Sequence, residues 1–209
     1  MAACVVTVVA ACGQAAAPTV LRGEPSTYLL TIDQMVSPDF ALSTSPHPLT
    51  AADVAGTISG VVQQLNAAGF LAGSGEEFFR AAGSLAEANG PLQVRDSVEE
   101  FASPAGAATV YSADVARLDA VAGARAASTG ALGDAAHATT RTVTASDGTV
   151  VVELTVEWRV DNLVDRLVVR GRNGGTRLDD ALLLTHRQTV TELGLATPRP
   201  SAASRAATP

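Results

Sequence analysis

The chain contains no lysine and only two cysteines, and each scarcity excludes a class of site. Without lysine it cannot form a P-loop, whose glycine-rich turn is followed by a lysine that reaches the phosphates. The cysteines, Cys4 and Cys12, lie within the first thirteen residues. The rest of the chain therefore has no disulfide, no thiol nucleophile and no cysteine-based zinc site, so its stability must come from its packed core.

Aromatic residues make up only 4% of the chain, although hydrophobic residues make up 47%. Alanine supplies much of that hydrophobic content, so we expect an aliphatic core. A few large side chains should anchor it: Phe70, Phe78, Phe79, Phe101, Tyr111 and Trp158.

Positive charge is scarce as well, and the net charge is −7. Binding to nucleic acid needs a basic face that neutralises phosphates, so this balance excludes nucleic acid as a partner. It also argues against electrostatic attachment to anionic lipid headgroups.

The N-terminus does contain an uncharged apolar segment, with no charged residue before Arg22. It ends in Val9-Ala10-Ala11-Cys12, an aliphatic residue and two small residues before a cysteine, which is typical of a bacterial lipoprotein signal peptide. We predict that Cys12 is lipidated, because its two acyl chains (palmitate among them) suffice for stable membrane anchoring. The alternative is a buried strand over residues 5–10.

This signal lacks the basic residues with which a secretory signal begins, so we expect the natural start to lie upstream. The predicted organisation is a signal peptide over residues 1–12, a flexible tether over 13–26, a single α+β domain over 27–195 and a disordered tail over 196–209. The predicted location is the extracytoplasmic face of the cell membrane.

The middle of the chain shows mixed strand and helix patterns. A first strand is predicted over residues 28–32 and a short one over 40–43, with the prolines at 46 and 48 favouring a loop over 45–48. Helices are predicted from Thr50 to Gly69 and over 76–88. A strand is predicted over 92–101, with a helix over 96–100 as the alternative, and it precedes a helix capped by Ser103.

The C-terminal third has the clearest pattern. Apolar side chains occupy alternate positions from Val150 to Val160, and Asp161-Asn162 fits a two-residue hairpin turn. Pairing across that turn places Glu157 opposite Arg166 and Glu153 opposite Arg170, which agrees with the apolar register. It also places Asp165 opposite Trp158, so we expect that part of the hairpin to be open to water.

A preceding strand is predicted near residues 138–145, and a helix follows the Asn173-Gly174-Gly175 turn. The fold class is therefore α+β: an antiparallel sheet with a C-terminal three-stranded meander and helices packed mainly on one face.

We found no catalytic motif, metal-ligand spacing or cofactor fingerprint, so we predict no catalytic residues, no metal and no cofactor. The three histidines, His47, His137 and His186, have no mutual ligand spacing. The acidic pairs Glu76-Glu77 and Glu99-Glu100 are interpreted as solvated faces. The cross-strand pairs already occupy Arg166 and Arg170.

Two segments together resemble the extracellular sensor domains of actinobacterial serine/threonine kinases and related surface lipoproteins. The first contains Val98, Phe101, Ser103 and Ala107 in the pattern V-x-x-F-x-S-x-x-x-A, and the second contains Arg159, Asn162 and Val164 in the pattern R-x-x-N-x-V. The resemblance covers about half of the chain and implies a ligand-binding cleft on the sheet. Such domains usually carry disulfides, which this chain lacks.

Three functions remain open. The first is a surface lipoprotein that binds a small molecule, lipid or envelope component in an apolar pocket, with Trp158, Tyr111 and Phe101 as candidate pocket residues. Core packing is the alternative role for Trp158. The second is a non-enzymatic interaction or structural lipoprotein that docks an envelope protein through an exposed apolar patch. The third is a hydrolase, which requires a nucleophile beside a base.

Overall fold

The computed structural model describes residues 20–80, 90–144 and 148–196. The strands are β1 (Phe40–Leu49), β2 (Phe70–Arg80), β3 (Pro91–Phe101), β4 (Arg125–Ala127), β5 (Ala135–Thr144), β6 (Val150–Val160) and β7 (Leu163–Arg172). The α-helices are α1 (Ala51–Ala55), α2 (Val61–Ala67), α3 (Pro104–Asp119) and α4 (Leu178–Ala196). Cys12, residues 13–19 of the tether and residues 197–209 of the tail lie outside the described residues.

The strands form one antiparallel sheet in the order β1-β2-β3-β7-β6-β5-β4. Consecutive strands β5, β6 and β7 are neighbours, which confirms the predicted meander and the α+β class. The first three strands form a second meander, and β7 joins the two by pairing with β3. No helix in the described ranges has both the length and the apolar composition needed to cross a bilayer.

Helices cover both faces of the sheet. Helices α1, α2 and α3 share a hydrophobic cluster with Phe101 and Val164, and we call this side the α3 face. Helix α4 contributes Ala181 and Leu184 to the larger cluster on the opposite side, the α4 face. Three of the four helices thus lie on one face, as expected, and the longest helix covers the other.

The β6–β7 hairpin has the predicted register. Glu157 pairs with Arg166 and Glu153 with Arg170, and the turn residue Asp161 has a φ of 51°. The expectation that Asp165 is open to water was wrong. Both Asp165 and Trp158 are fully buried, because α4 packs over this part of the sheet.

Asn162 ties the hairpin turn to two distant segments. Its Oδ1 accepts a hydrogen bond from Leu21 N at 2.7 Å, and its Nδ2 donates to Leu21 O at 3.0 Å and to Phe101 O at 2.9 Å. The asparagine of the R-x-x-N-x-V pattern is therefore structural. Ser103 of the other pattern caps α3, since its Oγ accepts a hydrogen bond from Gly106 N.

Several local predictions were wrong. Residues 76–80 of the helix predicted over 76–88 belong to β2, and residues 81–88 lie outside the described residues. Residues 28–31 form no strand, although Tyr28, Leu29 and Leu30 are buried. The predicted helix from Thr50 is split into α1 and α2, because Gly56 and Gly60 both have positive φ angles.

The predicted loop over residues 45–48 lies within β1. Proline is tolerated there because β1 is an edge strand, which has one unpaired side, and its register with β2 shifts between Thr44 and His47.

Candidate functional site

An open cleft of about 550 Å³ lies on the α3 face, between α1 and the middle of the sheet. Asp53 and Val54 of α1 form one wall, and β1 contributes residues at the rim. The floor consists of side chains from β2, β3 and β7: Glu77, Arg95, Ser97, Glu99, Arg166 and Val168. This volume lies within the range of small-molecule sites.

Strand alternation explains why the floor is polar. Residues i, i+2 and i+4 of a strand share one face, so Arg95, Ser97 and Glu99 of β3 all point towards the cleft. Gly75 of β2 pairs with Ser97, and a Cβ atom at Gly75 would lie 3.2 Å from Leu49 Cδ1. The glycine therefore lets Leu49 pack closely at the rim while the floor stays low.

A cluster of carboxylates and guanidinium groups lies at the inner end of the cleft. Arg166 Nη2 donates to Asp114 Oδ2 and to Glu157 Oε2, both at 2.8 Å. Arg117 forms a second ion pair with Asp114. The fifth member is Glu99, whose pKa is affected by the charges of Arg166 and Arg117. We call these five residues the inner cluster.

Among the described residues, Glu99 is the carboxyl of the inner cluster that forms no ion pair, although Glu157 Oε1 also lacks a hydrogen-bond partner. Glu99 is only 4% exposed, and its Oε2 has no hydrogen-bond partner among the described residues. Burial raises the pKa of Glu99 to about 7 against the opposing effect of Arg166 and Arg117. Burial likewise raises the pKa of Glu157 to about 7. The inner cluster therefore holds carboxyl groups that can be neutral or charged near physiological pH.

The outer end of the cleft carries ion pairs whose arginines are partly or well exposed, while their carboxylates are more buried. Arg95 Nε donates to Glu77 Oε2 at 2.6 Å. Beside this pair, Glu153 accepts from Arg141 Nε and Arg170 Nε, both at 2.5 Å. Burial raises the pKa of Glu153, but the hydrogen bonds from the two arginines outweigh it and leave that pKa below its ordinary value. These carboxylates stay charged at neutral pH.

A second buried polar group lies on the α4 face. Asp96, Asp165 and Glu192 are almost fully buried, and Gln188 lies one helical turn from Glu192 on α4. Burial raises the pKa of Asp96 to about 7 and that of Glu192 to about 8, with the charge of Asp96 adding to the effect on Glu192. In the described part of the chain, no group of three or more histidine, cysteine, aspartate or glutamate residues is arranged to hold a metal ion.

The structure does not bring the three candidate pocket residues together. Trp158 is fully buried in the core of the α4 face, which is the core role weighed for it above. Phe101 and Tyr111 pack in the hydrophobic cluster of the α3 face, so the sheet separates them from Trp158. None of the three lines the cleft, and the cleft is polar where an apolar pocket was expected.

Sequence analysis missed Glu99 and its neighbour by assigning both to a solvated face. Glu99 is 4% and Glu100 7% exposed. One signal was available: Val94, Val98 and Phe101 bracket the pair in a strand pattern, and a carboxylate within a buried strand needs a partner or a function. The histidines do not converge, since His137 pairs with Asp119 while His186 is exposed on α4.

No protein-family model matches the chain, and no curated protein matches it. Among solved structures, the chain is similar to the extracellular domain of PknH from Mycobacterium tuberculosis, with a TM-score of 0.57 and 10% sequence identity. The similarity covers 81% of this chain and 94% of that one. It shows a shared fold, and it confirms the resemblance to the extracellular domain of a bacterial serine/threonine kinase over more of the chain than the two motifs span.

Proposed function

We propose that the chain is an exported lipoprotein, anchored through Cys12 at the outer face of the cell membrane, whose domain binds a small molecule in the cleft. Its role is sensor-like: the bound state reports the presence of a ligand outside the cell. The observation that carries the proposal is the polar cleft with the buried, unsatisfied carboxyl of Glu99 at its inner end.

Three independent features support this function. A buried carboxylate without a partner is costly, and such groups persist at sites where a ligand supplies the partner. The lipobox before Cys12 supports export and anchoring. The shared fold supports an extracytoplasmic role by analogy, since the similar structure is an extracellular domain.

Anchoring is tested by metabolic labelling with an alkyne analogue of palmitate. The wild-type chain and the Cys4→Ser control should incorporate the label and fractionate with membranes. The Cys12→Ser variant should lose the label and appear in the soluble fraction. Label retained by Cys12→Ser would rule out this anchor.

Ligand binding is tested by native mass spectrometry of the protein purified from its own cells. A bound small molecule should appear with the wild-type chain and disappear in Ser97→Leu, which fills the cleft floor. The matched control is Thr142→Leu, which also replaces a hydroxyl side chain with leucine but at an exposed position of β5. Equal ligand occupancy in Ser97→Leu and wild type would place the ligand outside the cleft.

The alternative is an interaction or structural lipoprotein, and one observation favours it. Leu183, Val190 and Leu193 are 43%, 56% and 52% exposed, and their spacing places them along one side of α4. If this stripe docks an envelope protein, Val190→Glu should dissociate a membrane complex seen by blue native electrophoresis. If the domain instead acts through the cleft, the membrane complexes seen by blue native electrophoresis should be unchanged in Val190→Glu.

A further inference from the structure

The inner end of the cleft has one more carboxylate than guanidinium groups. Asp114, Glu157 and Glu99 supply three carboxylates, while Arg117 and Arg166 supply two guanidinium groups. Asp114 and Glu157 take part in the ion pairs, and Glu99 makes none with any described residue within 4 Å. The carboxyl group without an ion-pair partner is therefore that of Glu99, which lines the cleft.

The outer end has the opposite imbalance. Arg95, Arg141 and Arg170 supply three guanidinium groups around the two carboxylates of Glu77 and Glu153. Of these arginines, Arg95 is the one that lines the cleft, and its side chain is 51% exposed. Its Nε donates to Glu77, and its terminal nitrogens form no hydrogen bond or ion pair with another described residue.

The two ends are linked by a low floor. Arg95 and Glu99 lie on the same face of β3, and four residues of strand separate their Cα atoms by roughly 13 Å. Between them are Ser97 and, across the strand pair, Gly75, which have small side chains or none. The floor is thus a trough with the guanidinium group of Arg95 at one end and the unpaired carboxyl of Glu99 at the other, while Asp53 adds a carboxylate to the α1 wall.

Building on the proposed function, in which the cleft binds a small molecule, we propose that this molecule is a zwitterion whose ammonium group binds Glu99 and whose anionic group binds Arg95. An ammonium group supplies both the charge and the hydrogen-bond donor that Glu99 Oε2 lacks. An anion at the outer end completes the charge balance of the three arginines.

Ligands of other charge fit less well. A simple anion would leave Glu99 buried and uncompensated, and a simple cation would leave the excess positive charge at the outer end. A lipid chain would desolvate the charged floor without pairing its groups, which is unfavourable. The zwitterion is the class that compensates both ends together.

The test uses the full-length chain purified in detergent and isothermal titration with three zwitterions of increasing length: glycine, 4-aminobutyrate and 6-aminohexanoate. Hexanoate and hexylamine serve as single-charge controls. We expect one zwitterion to bind at least about tenfold more tightly than either control, because each charged end contributes a charge-assisted hydrogen bond.

Matched variants locate the two contacts. Glu99→Gln should weaken binding of the preferred zwitterion by about tenfold or more, and Arg95→Gln should do the same. Glu100→Gln, one residue along β3 on the opposite face, and Arg125→Gln, on exposed β4, should bind as wild type does. Glu99→Gln removes a buried charge, so it should fold at least as well as wild type.

A proton-release measurement gives an independent readout. Because burial raises the pKa of Glu99 to about 7, part of the protein carries a proton on this residue at pH 7. An ammonium group binding there lowers that pKa, so zwitterion binding should release protons to the buffer. Titrations in buffers of different ionisation enthalpy would detect this release, and Glu99→Gln should abolish it.

The outcomes separate this inference from the proposed function. Binding of hexanoate or hexylamine as tight as that of every zwitterion, or zwitterion binding unaffected by Glu99→Gln, would overturn the zwitterion and leave a small-molecule cleft intact. The zwitterion would also be overturned, and the cleft retained, if no zwitterion binds but native mass spectrometry shows a ligand on the wild type that is lost in Ser97→Leu. No zwitterion binding and no ligand in either protein would overturn both.

Discussion

Asp165 lies directly opposite Trp158 across the β6–β7 pair, and both side chains are fully buried beneath α4. The Asp165 carboxyl hydrogen-bonds to the carboxyl of Glu192 on α4, which requires one of the two groups to carry a proton. Burial, reinforced by the nearby charges of Glu192 and Asp96, raises the pKa of Asp165 well above its ordinary value. Burial on this face of the sheet therefore favours the protonated forms of these carboxyl groups.

The first prediction is that the domain is more stable in mild acid than at alkaline pH. The pKa values are raised to about 7 for Asp96 and to about 8 for Glu76 and Glu192, whereas in the unfolded chain these groups ionise near pH 4. Their contribution is therefore complete below about pH 4 and is lost as the pH rises to about 8.

Urea unfolding at pH 5 and pH 8 would measure this difference, which should be of the order of a few kcal/mol in the free energy of unfolding. Glu192→Gln should reduce the difference, because one of the titrating groups is gone. The pKa values of Glu77 and Glu153 are lowered, so these groups reduce stability only as the pH falls below about 5, outside the range from pH 5 to pH 8. Stability that is constant or rises from pH 5 to pH 8 would contradict the prediction.

The second prediction concerns the inner cluster. Arg166→Met should destabilise the fold by about 3–5 kcal/mol, because it leaves the buried carboxylates of Glu157 and Asp114 without a shared partner. Arg177→Met is the control, since its ion pair with Asp179 has side chains that are 69% and 76% exposed. That control should cost no more than about 0.5 kcal/mol. Denaturant unfolding of the two variants would measure the change in the free energy of unfolding. Equal losses in Arg166→Met and Arg177→Met would argue against a buried network.

The third prediction concerns Asn162. Asn162→Ala removes three hydrogen bonds and leaves buried backbone groups of Leu21 and Phe101 unsatisfied, at a cost of about 3 kcal/mol. The segment that begins at Leu21 should also detach and become sensitive to limited proteolysis. Asn173→Ala in the exposed turn before α4 should leave both stability and cleavage unchanged. Protection of the Leu21 segment in Asn162→Ala would refute this anchoring role.

The fourth prediction concerns Trp158 as a core residue. Trp158→Ala should destabilise the domain by about 3–5 kcal/mol through loss of apolar contacts and creation of a cavity. It should not reduce zwitterion affinity at a pH where the variant is folded, because the sheet separates Trp158 from the cleft. Thermal unfolding and titration together would check this, and a selective loss of affinity would restore Trp158 as a pocket residue.

The β6–β7 hairpin was predictable because its two strands are adjacent in sequence, alternate cleanly and carry matching charges. Strand β2 could not be predicted in the same way, because its apolar residues and those that follow also fit a helical spacing: Phe78, Phe79, Ala82 and Leu85. The burial of Asp165 depends on α4, which arrives later in the chain. The local sequence pattern of the hairpin does not indicate that a later helix will pack over it.

The cleft could not be predicted from the sequence either, because its floor is built by residues that are far apart along the chain. Its floor forms where β3 pairs with β7, and Ser97 and Arg166, which face each other there, are 69 residues apart. Glu99 and Glu100 are adjacent in sequence, so strand alternation places them on opposite faces, but nothing local indicates which face carries the cleft. Long-range pairing, which a single sequence does not reveal, decides their environments.

The position of β1 at one margin of the sheet limits what the domain can assemble with. Pro46 and Pro48 leave two places in β1 without a backbone donor, and β4 at the other margin is only three residues long. Neither margin offers the long row of free donors and acceptors that recruits a further strand. Copies of the domain at high local concentration would therefore resist fusing into a continuous intermolecular sheet.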